Sequence, residues 1–256
     1  MRYHSWKGWT IIMENILEVE GLSKIYKNGR GVSNITFNLQ KGDVLGLLGP
    51  NGSGKTTTMK VICGLCHPKD GRVRIFGHSV YDEYEKAMEN VGTLIEMPAL
   101  YEHLTALENL KSASRMYKGI DKEWIDHILE AVHLSNYKND KVARFSLGMK
   151  QRLGLALALI SGPKLVILDE PANGLDIEGI IEVREIVRQM AEKKGVSFLI
   201  SSHLAGEIEK TCNKVAVIYE GEMLSFDTVD EALRLNPTLE DFFLAKVKDK
   251  RGELII

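Results

Sequence analysis

Apolar positions along this chain follow two spacings. Ile16 to Glu20, Ile35 to Leu39 and Val73 to Phe76 alternate or run apolar over strand length, and Val44-Leu45-Gly46-Leu47-Leu48 is a continuous run of buried-strand type. These segments predict a β-rich first portion, to which Val91–Ile95 adds another strand. From Thr105 to Val132 the spacing turns helical. Thr105-Ala106-Leu107-Glu108 is a capping box opening one helix, and Asp121 is placed to cap a second that ends near Val132. From Leu165 onward strands and helices alternate, as Leu165–Leu168, Glu178–Lys194, Ser197–Ser201, Leu204–Thr211 and Lys214–Tyr219. Such alternation marks a parallel sheet with covering helices. The predicted class is α/β. Residues 13–96 and 161–236 form the core from both ends of the chain, 97–160 make a mostly helical insert, and 237–256 make a short helical tail. Residues 1–12 are expected to be a poorly ordered extension, or to precede the true start at Met13, and no function attaches to them.

The chemistry begins where the Val44–Leu48 run stops. Gly49-Pro50-Asn51-Gly52-Ser53-Gly54-Lys55-Thr56 matches G-x-x-x-x-G-K-[ST] at every fixed position, and Thr56 to Leu65 reads as the following helix. A strand, a glycine-rich loop and a helix in that order aim successive backbone N–H groups at one point, which suits a polyphosphate. Lys55 supplies a cation for the β- and γ-phosphates and Thr56 a hydroxyl for Mg²⁺. Leu165-Val166-Ile167-Leu168-Asp169-Glu170 is a buried strand ending in two acids at the edge where a parallel sheet opens its ligand crevice. Asp169 there can hold Mg²⁺ through its water shell, and Glu170 can orient and polarise an attacking water.

Two further motifs are weak alone. Ser146-Leu147-Gly148 opens an apolar helix running to Ile160, and many helices are capped by serine. His203 follows Ser201-Ser202 at a strand end, and a lone histidine is usually structural. Composition narrows the field. With 33 basic and 35 acidic residues the net charge is −2, which gives no electrostatic footprint for nucleic acid. No apolar run approaches the roughly 20 residues needed to span a bilayer, so a membrane role must come through a separate subunit. Cys63, Cys66 and His67 spell C-x-x-C-H, a haem-attachment pattern, but they sit at the end of the post-loop helix, where packing explains small apolar thiols. With Cys212, they read as reduced cytosolic thiols.

The order of these pieces resembles the nucleotide-binding subunit of an ATP-binding cassette (ABC) transporter, from about Ile16 to Phe243. The resemblance implies a P-loop NTPase core with a β-rich antiparallel part and a helical insert, and ATP and Mg²⁺ as cofactors. Tyr26 sits where that family stacks an aromatic on adenine. Gly49 to Thr57 correspond to its Walker A loop, Leu165–Glu170 to its Walker B strand with the catalytic glutamate, Asn173–Asp176 to its D-loop and His203 to its switch histidine. Ser146–Gln151 stand at its LSGGQ signature, with Leu147 and Met149 replacing a Gly and the Gln. Glu96 stands where the Q-loop usually carries glutamine, and is a candidate magnesium ligand. Glu96 together with Phe145–Arg152 resembles the subgroup that exports lantibiotics, bacitracin and similar peptides.

The implied assembly is a head-to-tail homodimer in which each ATP lies between one Walker A loop and the partner copy's Ser146 and Gly148, with Asp176 bridging the two sites. Integral membrane permease subunits would receive the motion at the apolar residues Met97, Pro98, Leu100 and Tyr101, which places the chain on the cytoplasmic face of the membrane. The alternatives are a multidrug or lipid exporter subunit, or a soluble ABC ATPase with no membrane partner.

Overall fold

The computed structural model describes residues 15–252, so the extension at residues 1–12 lies outside the described residues, as do the last four of the tail. Strands β1 (Asn15–Ile25), β2 (Gly31–Gln40), β4 (Asp70–Ile75) and the two-residue β5 (His78–Ser79) form an antiparallel sheet in the order β2-β1-β4-β5. β1 runs five residues beyond the predicted alternation. Gly21, at φ +60°, shifts the register between Val19 and Leu22, and a shift of one residue exchanges the two faces, so the period-2 pattern stops there although the strand does not.

The second sheet has the order β10-β9-β3-β8-β7-β6, from β3 (Val44–Leu48), β6 (Val91–Leu94), β7 (Leu165–Leu168), β8 (Ser197–Ser202), β9 (Lys214–Tyr219) and β10 (Glu222–Thr228). All neighbours are parallel except β10, which pairs antiparallel with β9. The sequence reading lacked β10. Its residues are mostly half-buried and carry no clean alternation, and the usable signal is the turn. Glu220 and Gly221 join the strands in two residues with φ of +49° and +80°, the positive pair that a tight hairpin requires.

The six-stranded sheet is buried on both faces, hence its unbroken apolar runs. Leu45, Leu47, Leu165, Ile167, Leu199 and Ala216 face the antiparallel sheet and α1 (Lys55–Ile62). Val44, Leu48, Val166, Leu168, Phe198 and Ile200 face a second core, shared with the helical insert and with the helices that follow β7 and β8.

That insert comprises α3 (Ala106–Ser114), α4 (Lys122–Ala131) and α5 (Leu147–Leu159), after a short α2 (Tyr84–Met88) that the spacing did not reveal. The predicted caps form. Thr105 and Glu108 exchange hydrogen bonds of 3.1 and 2.8 Å, and Asp121 accepts from the Trp124 N–H at 2.8 Å. The insert is tied to the core by a buried arginine. Arg152 of α5 donates to the carbonyls of Val132 and His133 beyond α4, and pairs at 3.2 Å with Glu182 of α6 (Ile177–Lys194). The chain ends in α7 (Ala205–Thr211), α8 (Val229–Leu235) and α9 (Leu239–Arg251), of which α8 also went unread.

One glycine sets how closely these layers approach. Gly46, mid-β3, faces α7, and a Cβ there would stand 2.5 Å from Ile208 Cγ2. Gly46→Ala is therefore expected to push α7 off the central strand and destabilise the fold by about 1–3 kcal/mol. Urea unfolding of the two proteins, monitored by far-UV circular dichroism, measures it.

Candidate active site

Parallel register brings the functional groups into line. Leu48 lies opposite Ser202, and Leu168 opposite Ile200, so the chain leaves β3 into the glycine loop beside the ends of β8 and β7. The loop fits because two positions lack a side chain. A Cβ on Gly49 would lie 2.0 Å from the Ile218 carbonyl oxygen, and Gly54, the residue before α1, has φ +113°. The uncapped first-turn N–H groups of α1 open into the loop, as an anion site requires. An open cleft of ≈ 300 Å³ runs over it, walled by Asn51, Gly52, Lys55, Thr56, Thr57 and Glu170, with Tyr26, 39% exposed, at the rim. Pro50 is exposed beside the loop, and Ser53 is buried in it with no hydrogen-bond partner for its hydroxyl. Arg30 also lines this cleft, and nothing in its sequence context marked it.

Lys55 is buried, and its ammonium donates to the carbonyls of Gly49 at 2.7 Å and Pro50 at 3.2 Å. It stands 3.1 Å from Glu170 Oε1, an ion-pair distance. The other carboxylate oxygen, Oε2, lies 2.8 Å from His203 Nδ1. An ionised carboxylate only accepts, so Nδ1 carries the proton in this contact. Lys55, Glu170 and His203, drawn from α1, β7 and β8, thus form one connected chain. Glu170 holds φ +48°, an outlier for a residue with a side chain, which costs about 1–3 kcal/mol and is typical of functional sites. Asp169 is buried and accepts the Thr56 hydroxyl at 2.9 Å and the Ser201 hydroxyl at 2.6 Å. Ser201 was not among the sequence candidates.

Glu96, at φ +63° just past β6, is exposed and holds an ion pair with Lys60. That pair raises the Lys60 pKa, first through its hydrogen bond to the carboxylate. Lys60 lies one helical turn beyond Thr56, so Glu96 approaches the phosphate loop through α1.

The remaining candidates lie elsewhere. Ser146 caps α5, accepting from the Met149 N–H at 3.2 Å, and is exposed. Leu147 occupies the first helical turn and has no positive φ, so this position makes no demand for glycine. Asp176 caps α6, accepting from the Gly179 N–H at 2.9 Å. None of Ser146, Gly148 and Asp176 lines the cleft over the loop. Signature and D-loop do touch one another, since a Cβ on Gly174 would meet Leu147 Cδ2 at 3.1 Å.

Cys63, Cys66 and Cys212 are free thiols. Cys63 is buried, and burial, with a lesser contribution from the Asp169 charge, pushes its pKa up to about 12. Burial also pushes the Cys212 thiol up. The His67 ring packs 5.2 Å from Tyr81.

The ABC transporter family matches residues 32–173, which span the glycine loop, the signature helix and the Asp169–Glu170 pair. The chain is 38% identical to the bacitracin transport ATP-binding protein BcrA of Bacillus licheniformis, covering 91% of this chain and 76% of that one. It is 40% identical to the lantibiotic transport ATP-binding protein SrtF of Streptococcus pyogenes, over 82% and 89%. A solved ATP-binding subunit of an ABC transporter superposes with a TM-score of 0.80 at 30% identity, covering 91% of this chain and all of that one. The chain belongs to the ABC transporter family, as its ATP-binding, ATP-hydrolysing cassette. Its α/β architecture of one antiparallel and one largely parallel sheet is that of the cassette fold.

The buried thiols generate a prediction. A group whose pKa is raised stays neutral below it, so at pH 8 Cys63 and Cys212 are protonated as well as buried, and thiolate is the reactive form. Half-exposed Cys66 should react first with iodoacetamide, leaving the other two unmodified until urea unfolds the chain. Mass-spectrometric peptide mapping against urea concentration reads the order.

Proposed function

We propose that two copies of this chain clamp ATP head to tail and drive membrane permease subunits that export antimicrobial peptides of the bacitracin or lantibiotic kind, conferring resistance or self-immunity. One observation carries the catalytic part: the continuous Lys55–Glu170–His203 contact at 3.1 and 2.8 Å. Lys55 stands against Glu170. A γ-phosphate competes for that ammonium, and once Lys55 turns to it Glu170 is free to take the proton of an attacking water. His203, bonded to the far oxygen, keeps the carboxylate aimed. The N–H groups at the start of α1 hold the phosphates, and Tyr26 at the rim offers a face for the base.

The donor set fits magnesium. Thr56 Oγ1 and the Asp169 carboxylate are hard oxygen donors already in contact, and this ion prefers few protein ligands plus phosphate and water. Thr56 and Asp169 would hold it, and bound there it would neutralise phosphate charge during transfer. Glu96, engaged by Lys60, enters that set only on releasing its ion pair.

Exposure supports the dimer. Ser146 and Asp176 face solvent beside Leu147 (41% exposed), Ile177 (79%) and Ile181 (40%), an apolar strip that a second copy would cover. With one set of motifs per chain, a two-fold pair completes both sites. Among the described residues no helix is long and apolar enough to cross a membrane. The likeness to transport ATP-binding proteins supports a transport path formed by other subunits, with this chain peripheral on the cytoplasmic face. Met97 (71% exposed) and Tyr101 (56%) present the permease surface, whereas Pro98 packs against Gly154 of α5 and Leu100 against the core. Peptide cargo rests on the likeness to the bacitracin and lantibiotic transport subunits.

Glu170→Gln should retain ATP and a stable dimer while lowering turnover on the order of a hundredfold or more. Gel filtration with ATP and phosphate release read the two, and rapid hydrolysis by the variant would place the base elsewhere. For cargo, susceptible cells expressing the chain with its permease should survive bacitracin or a lantibiotic, and lose that protection with Lys55→Ala. Protection against small multidrug substrates alone would reassign the cargo.

A further inference from the structure

β8 runs past the end of β7, and the overhang carries a buried hydroxyl. Leu168 pairs with Ile200, and the same register carried one residue on sets Asp169 against Ser201. Ser201 is fully buried, at 0% exposure. Its hydroxyl donates to Asp169 Oδ1 at 2.6 Å and accepts the backbone N–H of Glu170 at 2.8 Å. The directions are forced, because the carboxylate only accepts and the amide only donates. One atom therefore ties together the acid that meets Thr56 and the backbone of the acid that meets Lys55 and His203.

The neighbouring serines show what a merely structural role looks like. Ser197, at the other end of the same strand, accepts from the Gly42 N–H in the turn between β2 and β3 at 2.7 Å, and Ser202 accepts from the Leu204 N–H two residues on at 3.0 Å. Ser201 alone bonds the two acids.

We propose that Ser201 is a positioning residue for hydrolysis. It fixes the Asp169 carboxylate between two hydroxyls, Thr56 on one side and its own on the other. It also anchors the amide of Glu170, whose left-handed backbone turns its side chain out of the sheet line and toward Lys55 and His203. The first effect holds Asp169 ready beside Thr56, and the second keeps the base pointed at the reacting phosphate. Without the hydroxyl, both acids lose their shared reference to β8, while the glycine loop and the rim at Tyr26 are untouched. The effect should fall on turnover and spare nucleotide binding. This rests on the reading of Glu170 as the base.

The test uses the purified full chain with Ser201→Ala, and Ser201→Cys, which keeps the volume but offers only a weak donor. Expected is a fall in kcat on the order of tenfold to a hundredfold, because the Glu170 amide loses its partner and Asp169 Oδ1 keeps only the longer Thr56 contact at 3.1 Å. The KM for ATP and ATP binding without divalent ion should stay close to wild type, while the melting temperature falls by only the few degrees that a lost buried hydrogen bond implies. Either variant keeping kcat within twofold overturns the proposal. So does a parallel loss of ATP binding and melting temperature in both, which would make Ser201 a packing residue. Glu170→Gln assayed alongside separates the two levels: if that variant turns over at the wild-type rate, the assignment of the base fails, whatever the serine variants do.

Discussion

The parallel register of β3, β8 and β7 is the constraint from which the site follows. Three strands end together at one edge, and each ends in a different chemical element: a loop of amides, a pair of acids, and a serine–histidine segment. Backbone hydrogen bonds fix the relative heights of these buried strands, because a slip would leave amides and carbonyls unpaired in the core. The precision of the Lys55–Glu170–His203 chain is therefore inherited from the sheet. Gly46 belongs to the same constraint. It lets α7 lie close on β3, and α7 begins two residues after His203.

Held this way, the charged groups of the site pair with one another. Lys55 is buried and could not remain charged there without partners, and it finds them in the Gly49 and Pro50 carbonyls and in Glu170. Glu170 is balanced by Lys55 and His203, and Asp169 by two hydroxyls. Such an arrangement is stable yet easily exchanged. A phosphate brings the same kind of negative oxygen that Glu170 offers, so it can take over Lys55 with little net electrostatic change and leave the glutamate available. On the proposed reading, exchanging that contact for a phosphate is the step that frees Glu170 to act as the base.

Much of this was legible in the sequence, for identifiable reasons. The buried strands are continuous apolar runs and the loop pattern has fixed spacing, so β3, β7, β8 and the phosphate loop could be placed to within a residue or two. The caps at Thr105 and Asp121 are local and were equally readable. Apart from the short helices α2 and α8, what escaped depends on long-range pairing. β10 has no periodic signature of its own and is a strand only because β9 lies beside it. β1 crosses a register shift at Gly21 that breaks its alternation. Ser201 reads as one serine of three around β8, and its distinction is the acid across the strand. Lys60, four residues past Thr56 on a helix face, had no reason to stand out until Glu96 reached it.

The signature region shows why a departure from a sequence pattern has to be weighed against backbone geometry. Leucine at position 147 looks costly if the position needs the freedom of glycine. It does not, because Ser146 caps the helix and residue 147 already lies in its first turn. The leucine adds an apolar side chain that approaches Gly174 and remains 41% exposed, and Ile177, at the start of the next helix, is exposed too. Exposed leucine and isoleucine flanking two polar helix caps make poor solvent surface but a good seam. Leu147 thus supplies area to the interface in which, on the proposed reading, Ser146 meets the partner's nucleotide, and the partner's phosphate loop would be held by packing around Ser146 as much as by the serine itself.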